Sequence, residues 1–257
     1  MSIKAKKISI IVIAAVFALV AIVCTIGLFS IKKVQVNYAV SKGANTMEIQ
    51  TTLDEFLGDS LVFLSIDKVK DAVDAYPYFE VTSVDKQFPN VLKVSIRERK
   101  ETYFVKSGDN YVVTAQDGFV LRVATEDEVL HNSIRDKIHL NLEGISVESA
   151  SVGSIIKTDN DALIKTVFEI ADSVELINCV ESITVTKYNV PGADLTFKTY
   201  SGVSIEIAKF EVKGVEMAVE AFNAYNNAES DYVKMYSFIK AYLVNGEINV
   251  VWASAKQ

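Results

Sequence analysis

From Ile8 to Phe29 the chain runs for 22 residues without a charge or a proline, and fourteen of them are Ile, Val, Leu or Phe. As a helix rising about 1.5 Å per residue, the run reaches roughly 33 Å, enough to cross a hydrocarbon layer about 30 Å thick. Each such side chain favours insertion by about 0.3–0.6 kcal/mol near the helix centre. A cleaved secretory signal has a shorter apolar stretch, about 7–15 residues, and a small-x-small cleavage site. Here Phe29-Ser30-Ile31-Lys32-Lys33 follows instead, and Ala21-Ile22-Val23 before Cys24 lacks the small residues of a lipoprotein signal. The expectation is a retained single-pass helix over residues 8–31, with residues 1–7 cytoplasmic and the remainder extracytoplasmic. Lysines lie on both sides of the run, so the positive-inside rule supplies only a small bias. The shortness of the leading segment and the acidity of the rest favour this orientation.

The formal net charge is −7, and the three lysines before the run leave residues 32–257 at about −10. That balance argues against nucleic acid, whose affinity comes mostly from Lys and Arg neutralising phosphates. About 226 residues beyond the run suit two domains better than one small core. Cys24 lies in the apolar run and Cys179 stands alone, so no intrachain disulfide framework is available.

After the run, Val34, Val36 and Tyr38 alternate with polar or small neighbours, the period of a half-buried strand. Asn45, with Glu48 three residues on, resembles a capping box opening a helix with Ile49, Leu53, Phe56 and Leu57 on one face. A second helix starts near Ser65 or Asp67, carries Ile66, Val69, Val73 and Tyr76, and stops at Pro77. Strands over Tyr78–Gln87 and Leu92–Arg97 flank a turn at Phe88-Pro89-Asn90. The order is β-α-α-β-β, two helices over one face of a three-stranded sheet.

This segment resembles a POTRA domain of the kind found in FtsQ/DivIB bacterial cell-division proteins. The resemblance rests on Leu64-x-Ile66, Tyr76-Pro77-Tyr78-Phe79, Val84-x-Lys86-x-Phe88-Pro89-Asn90-x-Leu92 and Val94-x-Ile96-x-Glu98-Arg99 behind a short N-terminal span. Phe88-Pro89-Asn90-x-Leu92 followed by Glu98-Arg99 is the most specific part. Read without the family, Pro89 is a turn residue and Glu98-Arg99 a solvated strand end.

Beyond residue 100, strand-like runs at Thr102–Lys106, Asn110–Thr114 and Phe119–Val123 are separated by turn signals. Glu126-Asp127-Glu128 reads as a solvated loop, and Ile138–Ile145 as a short apolar segment. A helix opens at Asp159 or Asp161 with Leu163, Val167, Ile170 and Val174 on one face. Ser182–Tyr188, Asp194–Tyr200 and Val203–Ala208 read as strands. A further helix carries Val212, Val215, Val219 and Phe222. Asn245-Gly246 then joins Ile239–Val244 to Ile248–Trp252 in a hairpin. The whole is α+β: a transmembrane helix, a POTRA-like domain over 32–100 and a larger, mostly antiparallel β domain with helices over 101–257. In the family the resemblance points to, a β domain follows the POTRA domain. Tyr111-Val112-Val113, Asp117-Gly118-Phe119-Val120-Leu121 and Leu142-x-Gly144 match that pattern. Ala115 stands where the family has an Asp, Glu101 where it has a Pro, and the proline before Leu142 is absent.

Nothing in the sequence assembles a catalytic centre. His131 and His139 lie eight apart with no Cys or acidic cluster at ligand spacing, and no phosphate loop or nucleophile elbow occurs. No catalytic, cofactor or metal residue is assigned. What the pattern offers is binding, because exposed strand edges recruit partner strands. The last strand is the candidate edge, with Ile248, Val250 and Trp252 on one face and Val251 on the other; the alternative is an interior strand with Trp252 in the core. The resemblance implies a non-enzymatic divisome scaffold at the division septum. Its partners would be FtsL-like and DivIC/FtsB-like single-span proteins, and it would help control septal peptidoglycan synthases. A membrane-tethered envelope hydrolase, or a POTRA-bearing scaffold of a secretion or sporulation complex, are the alternatives.

Overall fold

The computed structural model describes residues 27–39, 46–131, 137–174, 179–228 and 236–254. Among these, no helix is long and apolar enough to cross a membrane. Most of the Ile8–Phe29 run expected to do so lies outside the described residues, as does Asn45. The chain divides into two compact units, one ending at Arg99 and the other beginning at Lys100.

In the first unit, β1 (Lys33–Ala39), α1 (Met47–Asp54), α2 (Ile66–Asp74), β2 (Phe79–Gln87) and β3 (Val91–Glu98) follow the expected β-α-α-β-β order. β3 is central: it runs parallel to β1 and antiparallel to β2. Its alternation decides the core. Leu92, Val94 and Ile96 are buried and meet Ile49 and Leu53 of α1 and Val69 and Val73 of α2. Ser65 caps α2 by accepting a hydrogen bond from the Asp67 N–H at 3.2 Å, the role its hydroxyl fits. The N-cap of α1 is Thr46, whose side chain makes no capping bond. Tyr76 shares a 2.7 Å hydrogen bond with the Thr52 hydroxyl and ties the end of α2 to α1.

Arg99 corrects the reading of Glu98-Arg99 as a solvated strand end. Its side chain is only 7% exposed and pairs with Asp74 of α2 at 2.8 Å and with Glu80 of β2 at 3.4 Å. The same guanidinium donates to the carbonyl oxygens of Pro77 and Phe79. A planar fork with several donors suits this task, because the carbonyls just past α2 and the two carboxylates converge from different directions. Arg99 therefore fastens the end of α2 to the start of β2.

The second unit is built on one nine-stranded sheet. Its strands are β4 (Tyr103–Ser107), β5 (Asn110–Thr114), β6 (Val120–Ala124), β7 (Ile138–Glu143), β10 (Val180–Lys187), β11 (Ala193–Thr199), β12 (Ser204–Ile207), β13 (Phe238–Val244) and β14 (Glu247–Ala253). Their spatial order is β14-β13-β12-β11-β10-β7-β4-β5-β6, and β8 (Val147–Ser149) pairs with β9 (Lys157–Thr158) separately. Hairpins make most neighbours antiparallel. The exceptions are β7, parallel to both β4 and β10, and β12, parallel to β13. Parallel neighbours need a crossover, which a helix commonly supplies. Here α4 (Asp161–Ser173) lies between β7 and β10 in the chain, and α5 (Gly214–Asn226) between β12 and β13. Both helices bury their apolar sides in the core of this sheet, and α5 also lies against α4. The apolar segment at Ile138–Ile145 is thus a central strand.

Two expectations fail here. Glu126-Asp127-Glu128 is the first turn of a short helix, α3 (Glu126–His131). Thr125 and Glu128 bond reciprocally: the Thr125 N–H donates to the Glu128 carboxylate at 2.8 Å and the Glu128 N–H donates to the Thr125 hydroxyl at 3.3 Å. That is a capping box, written in Thr125-x-x-Glu128. In α5 the buried face is Gly214, Met217, Ala218, Ala221 and Phe222. Val212 is 58% exposed and Val219 lies on the exposed side. A stripe chosen by bulk missed the small residues that allow close approach. A Cβ on Gly214 would sit 2.7 Å from Cδ1 of Ile170 in α4 and 3.2 Å from Cβ of Phe210.

Two substitutions check these contacts by denaturant unfolding of the full chain in detergent. Gly214→Val is expected to cost about 1–3 kcal/mol through overpacking. Arg99→Met is expected to cost about 2–4 kcal/mol. Breaking a buried pair costs about 3–5 kcal/mol, and Asp74 is partly exposed. Wild-type stability in either variant would disprove the corresponding contact.

Candidate partner-binding edge

β14 is the last strand of the large sheet and, among the described residues, no strand pairs with its outer side. Its position follows from the hairpin. Asn245 and Gly246 both take positive φ, 52° and 82°, as a two-residue type I′ turn requires. Val244 pairs with Glu247 across that turn, and the register then runs unshifted to Phe238 opposite Ala253. In such a hairpin the pair flanking the turn exchanges both hydrogen bonds, and hydrogen-bonded pairs then alternate. Tyr242/Asn249 and Lys240/Val251 are therefore bonded pairs. The backbone N–H and C=O of Ile248 and Val250 point away from β13.

The side chains sort the other way. Ile248, Val250 and Trp252 are half-buried and pack on the main core, while Val251 is 41% exposed. The strand is thus an edge whose Trp252 leans on the core, a combination of the two sequence alternatives. Natural edges are commonly blunted by Lys, Pro or a bulge. From Ile248 to Ala253 there is no charge and no proline, and the ladder has no bulge. The opposite edge differs. At the start of β6 the Val120 N–H donates to the Ser154 carbonyl at 2.8 Å and the Gly153 N–H to the Val120 carbonyl at 3.0 Å, so the 151–156 loop covers it.

The signature residues of the first unit hold its shape. In the Phe88-Pro89-Asn90 turn, the Asn90 carbonyl accepts from the Lys32 N–H at 2.9 Å. Leu92 is buried, and Phe88 is 59% exposed with its ring edge-on to Phe29 at 5.7 Å. Lys86 donates to the carbonyls of Leu64 at 2.6 Å and Val62 at 3.4 Å. Asp117-Gly118 also has a packing reason. Gly118 takes φ 82°, and a Cβ there would lie 2.4 Å from Cε2 of Phe168.

Among the described residues the titratable groups do not gather at one centre. His139 packs against the rings of Phe104 and Tyr111, and burial lowers its pKa, opposed by Glu181. Burial raises the Cys179 thiol, away from the thiolate form that reactivity needs. Glu128 is held acidic chiefly by the Thr125 backbone N–H. Among the described residues no three His, Cys, Asp or Glu side chains gather as a metal site.

Comparison with known proteins adds a likeness to cell-division proteins. Residues 29–99 match the FtsQ-type POTRA domain model. A cell division protein DivIB of Clostridium acetobutylicum is 23% identical over 138 residues, 54% of this chain and 48% of that protein. Proteins of the same name from two Clostridium botulinum strains are 21% and 20% identical over 162 residues, 63% of this chain and 60% of theirs. The matches thus span about half to three-fifths of those relatives. Residues 29–99 thus carry a POTRA domain of the FtsQ type, and the chain is similar to DivIB cell-division proteins.

Proposed function

We propose that the protein is a membrane-anchored, non-enzymatic scaffold of bacterial cell division. Residues 8–31 anchor it, and residues 32–100 and 101–257 act as two extracytoplasmic domains at the septum. Its partners are small single-span division proteins of the FtsL-like and DivIC/FtsB-like kinds, and through them it influences septal peptidoglycan synthases. The observation that carries the reading is the bulge-free β14 edge, uncharged from Ile248 to Ala253, in a chain similar to DivIB proteins. An extended segment of a partner would add as a tenth strand and satisfy the outward backbone groups of Ile248 and Val250. The anchor confines both proteins to one surface and raises their effective concentration.

Depletion of the protein from its growing host is expected to give filaments without septa; normal septation would overturn the division role. For the edge, Val250→Pro deletes an outward N–H without touching a bond to β13. Pull-down of single-span partners from native membranes should fall to background, with the variant still folded by circular dichroism. Undiminished capture by the folded variant would refute strand addition at β14.

A further inference from the structure

The first unit carries a cluster of exposed apolar side chains that neither its core nor the β14 edge explains. Phe63 is 84% exposed, and Leu28, Leu57, Val62 and Phe88 are also exposed. Leu61 and Leu64 on either side of Val62-Phe63 are buried. The loop is therefore held from within while its two middle residues face outward. Lys86 fixes that posture through the carbonyls of Val62 and Leu64.

Backbone bonds place these residues together at the point where the apolar run enters the fold. The Leu61 N–H donates to the Phe29 carbonyl at 2.8 Å, the Ile31 N–H to the Asp59 carbonyl at 2.8 Å, and the Gly58 N–H to the Ile31 carbonyl at 2.9 Å. Ser30 bridges Ser60. The Phe29 ring meets Phe88. The loop carrying Leu57, Val62 and Phe63, and the turn carrying Phe88, are thus both fastened to the last residues of the 22-residue apolar stretch.

We propose that this end of the POTRA domain rests in the lipid surface, with Phe63, Val62 and Phe88 dipping among the headgroups. The inference builds on the anchor reading given above. If Ile8–Phe29 spans the bilayer, the water–lipid boundary falls near Phe29, so anything bonded to Phe29–Ile31 stands at that boundary. The chemistry fits a lipid occupant. Lys32 and Lys33 are exposed beside the cluster, and the one carboxylate between Leu57 and Leu64, Asp59, is paired with Lys68 at 3.6 Å. Apolar side chains with basic neighbours are what an anionic membrane interface accepts. Exposed apolar clusters of this kind mark contact surfaces. A protein docking here would first have to displace headgroups.

The test uses the full chain with F63W and W252F, which leaves a single indole at position 63. It is reconstituted into phosphatidylcholine–phosphatidylglycerol vesicles whose acyl chains carry bromine near the headgroup. The chain should co-float with the vesicles, and the bromolipid should quench most of the indole emission. Co-flotation with unquenched emission that remains open to aqueous iodide overturns the lipid contact and leaves the anchor standing. Failure to co-float overturns the anchor and this inference with it. Shielding that appears only when a second membrane protein is added also overturns it, assigning the patch to a protein partner.

Discussion

The bonds that lace Phe29–Lys32 between two loops are the constraint on which the placement of the first unit depends. One side is the 57–61 loop, reached through three backbone hydrogen bonds; the other is the Phe88-Pro89-Asn90 turn, reached through the Lys32 N–H and the Phe29 ring. A chain tied on both sides cannot swivel freely at its entry. From this point the chain continues directly into β1, which is parallel to β3. This connection leaves little slack, because Ile31 is itself buried in the core.

The large sheet has its own asymmetry. Two helical crossovers bring α4 and α5 over its core side, and the small residues of α5 let the helices touch. The loop at 151–156 covers the start of one edge strand. At the other edge nothing among the described residues is paired beyond β14. An edge that folding leaves uncapped is a liability unless it is used.

Much of this was legible in the residues. Alternation in Leu92, Val94 and Ile96 marked the central strand of the first unit, and Asn245-Gly246 marked the terminal hairpin, because a two-residue turn with positive φ tolerates few other pairs. The same turn puts Ile248, Val250, Val251 and Trp252 on one strand, the last of the sheet. Other features were not legible. Arg99 lies at a strand end in the chain, but its partners Asp74, Pro77 and Glu80 are 25 to 19 residues away, and only the fold makes them converge. The α5 face was misread because periodicity weighted by bulk ignores Gly and Ala, which pack closest. The Thr125–Glu128 box was present in the sequence, but the acidic run masked it. The exposed loop at Val62-Phe63 gave no signal at all, since an apolar pair beside Leu61 and Leu64 reads as core.

The hairpin geometry also constrains what an added strand could recognise. Because Ile248 and Val250 turn their backbones outward and their side chains inward, a partner would be held at those positions through main-chain bonds that carry little sequence information. Discrimination must come from the side chains of the incoming strand. Those on the core side would extend the apolar row that Ile248, Val250 and Trp252 continue from the main core. Those on the other side would lie beside Asn249 and Val251, next to Lys240 paired with Glu206. An apolar–polar alternation satisfies both faces at once. A strand slipped by one residue would bring its polar side chains against Trp252 and its apolar ones beside Asn249 and Val251. Register at this edge is therefore set by the same alternation that orders the sheet itself.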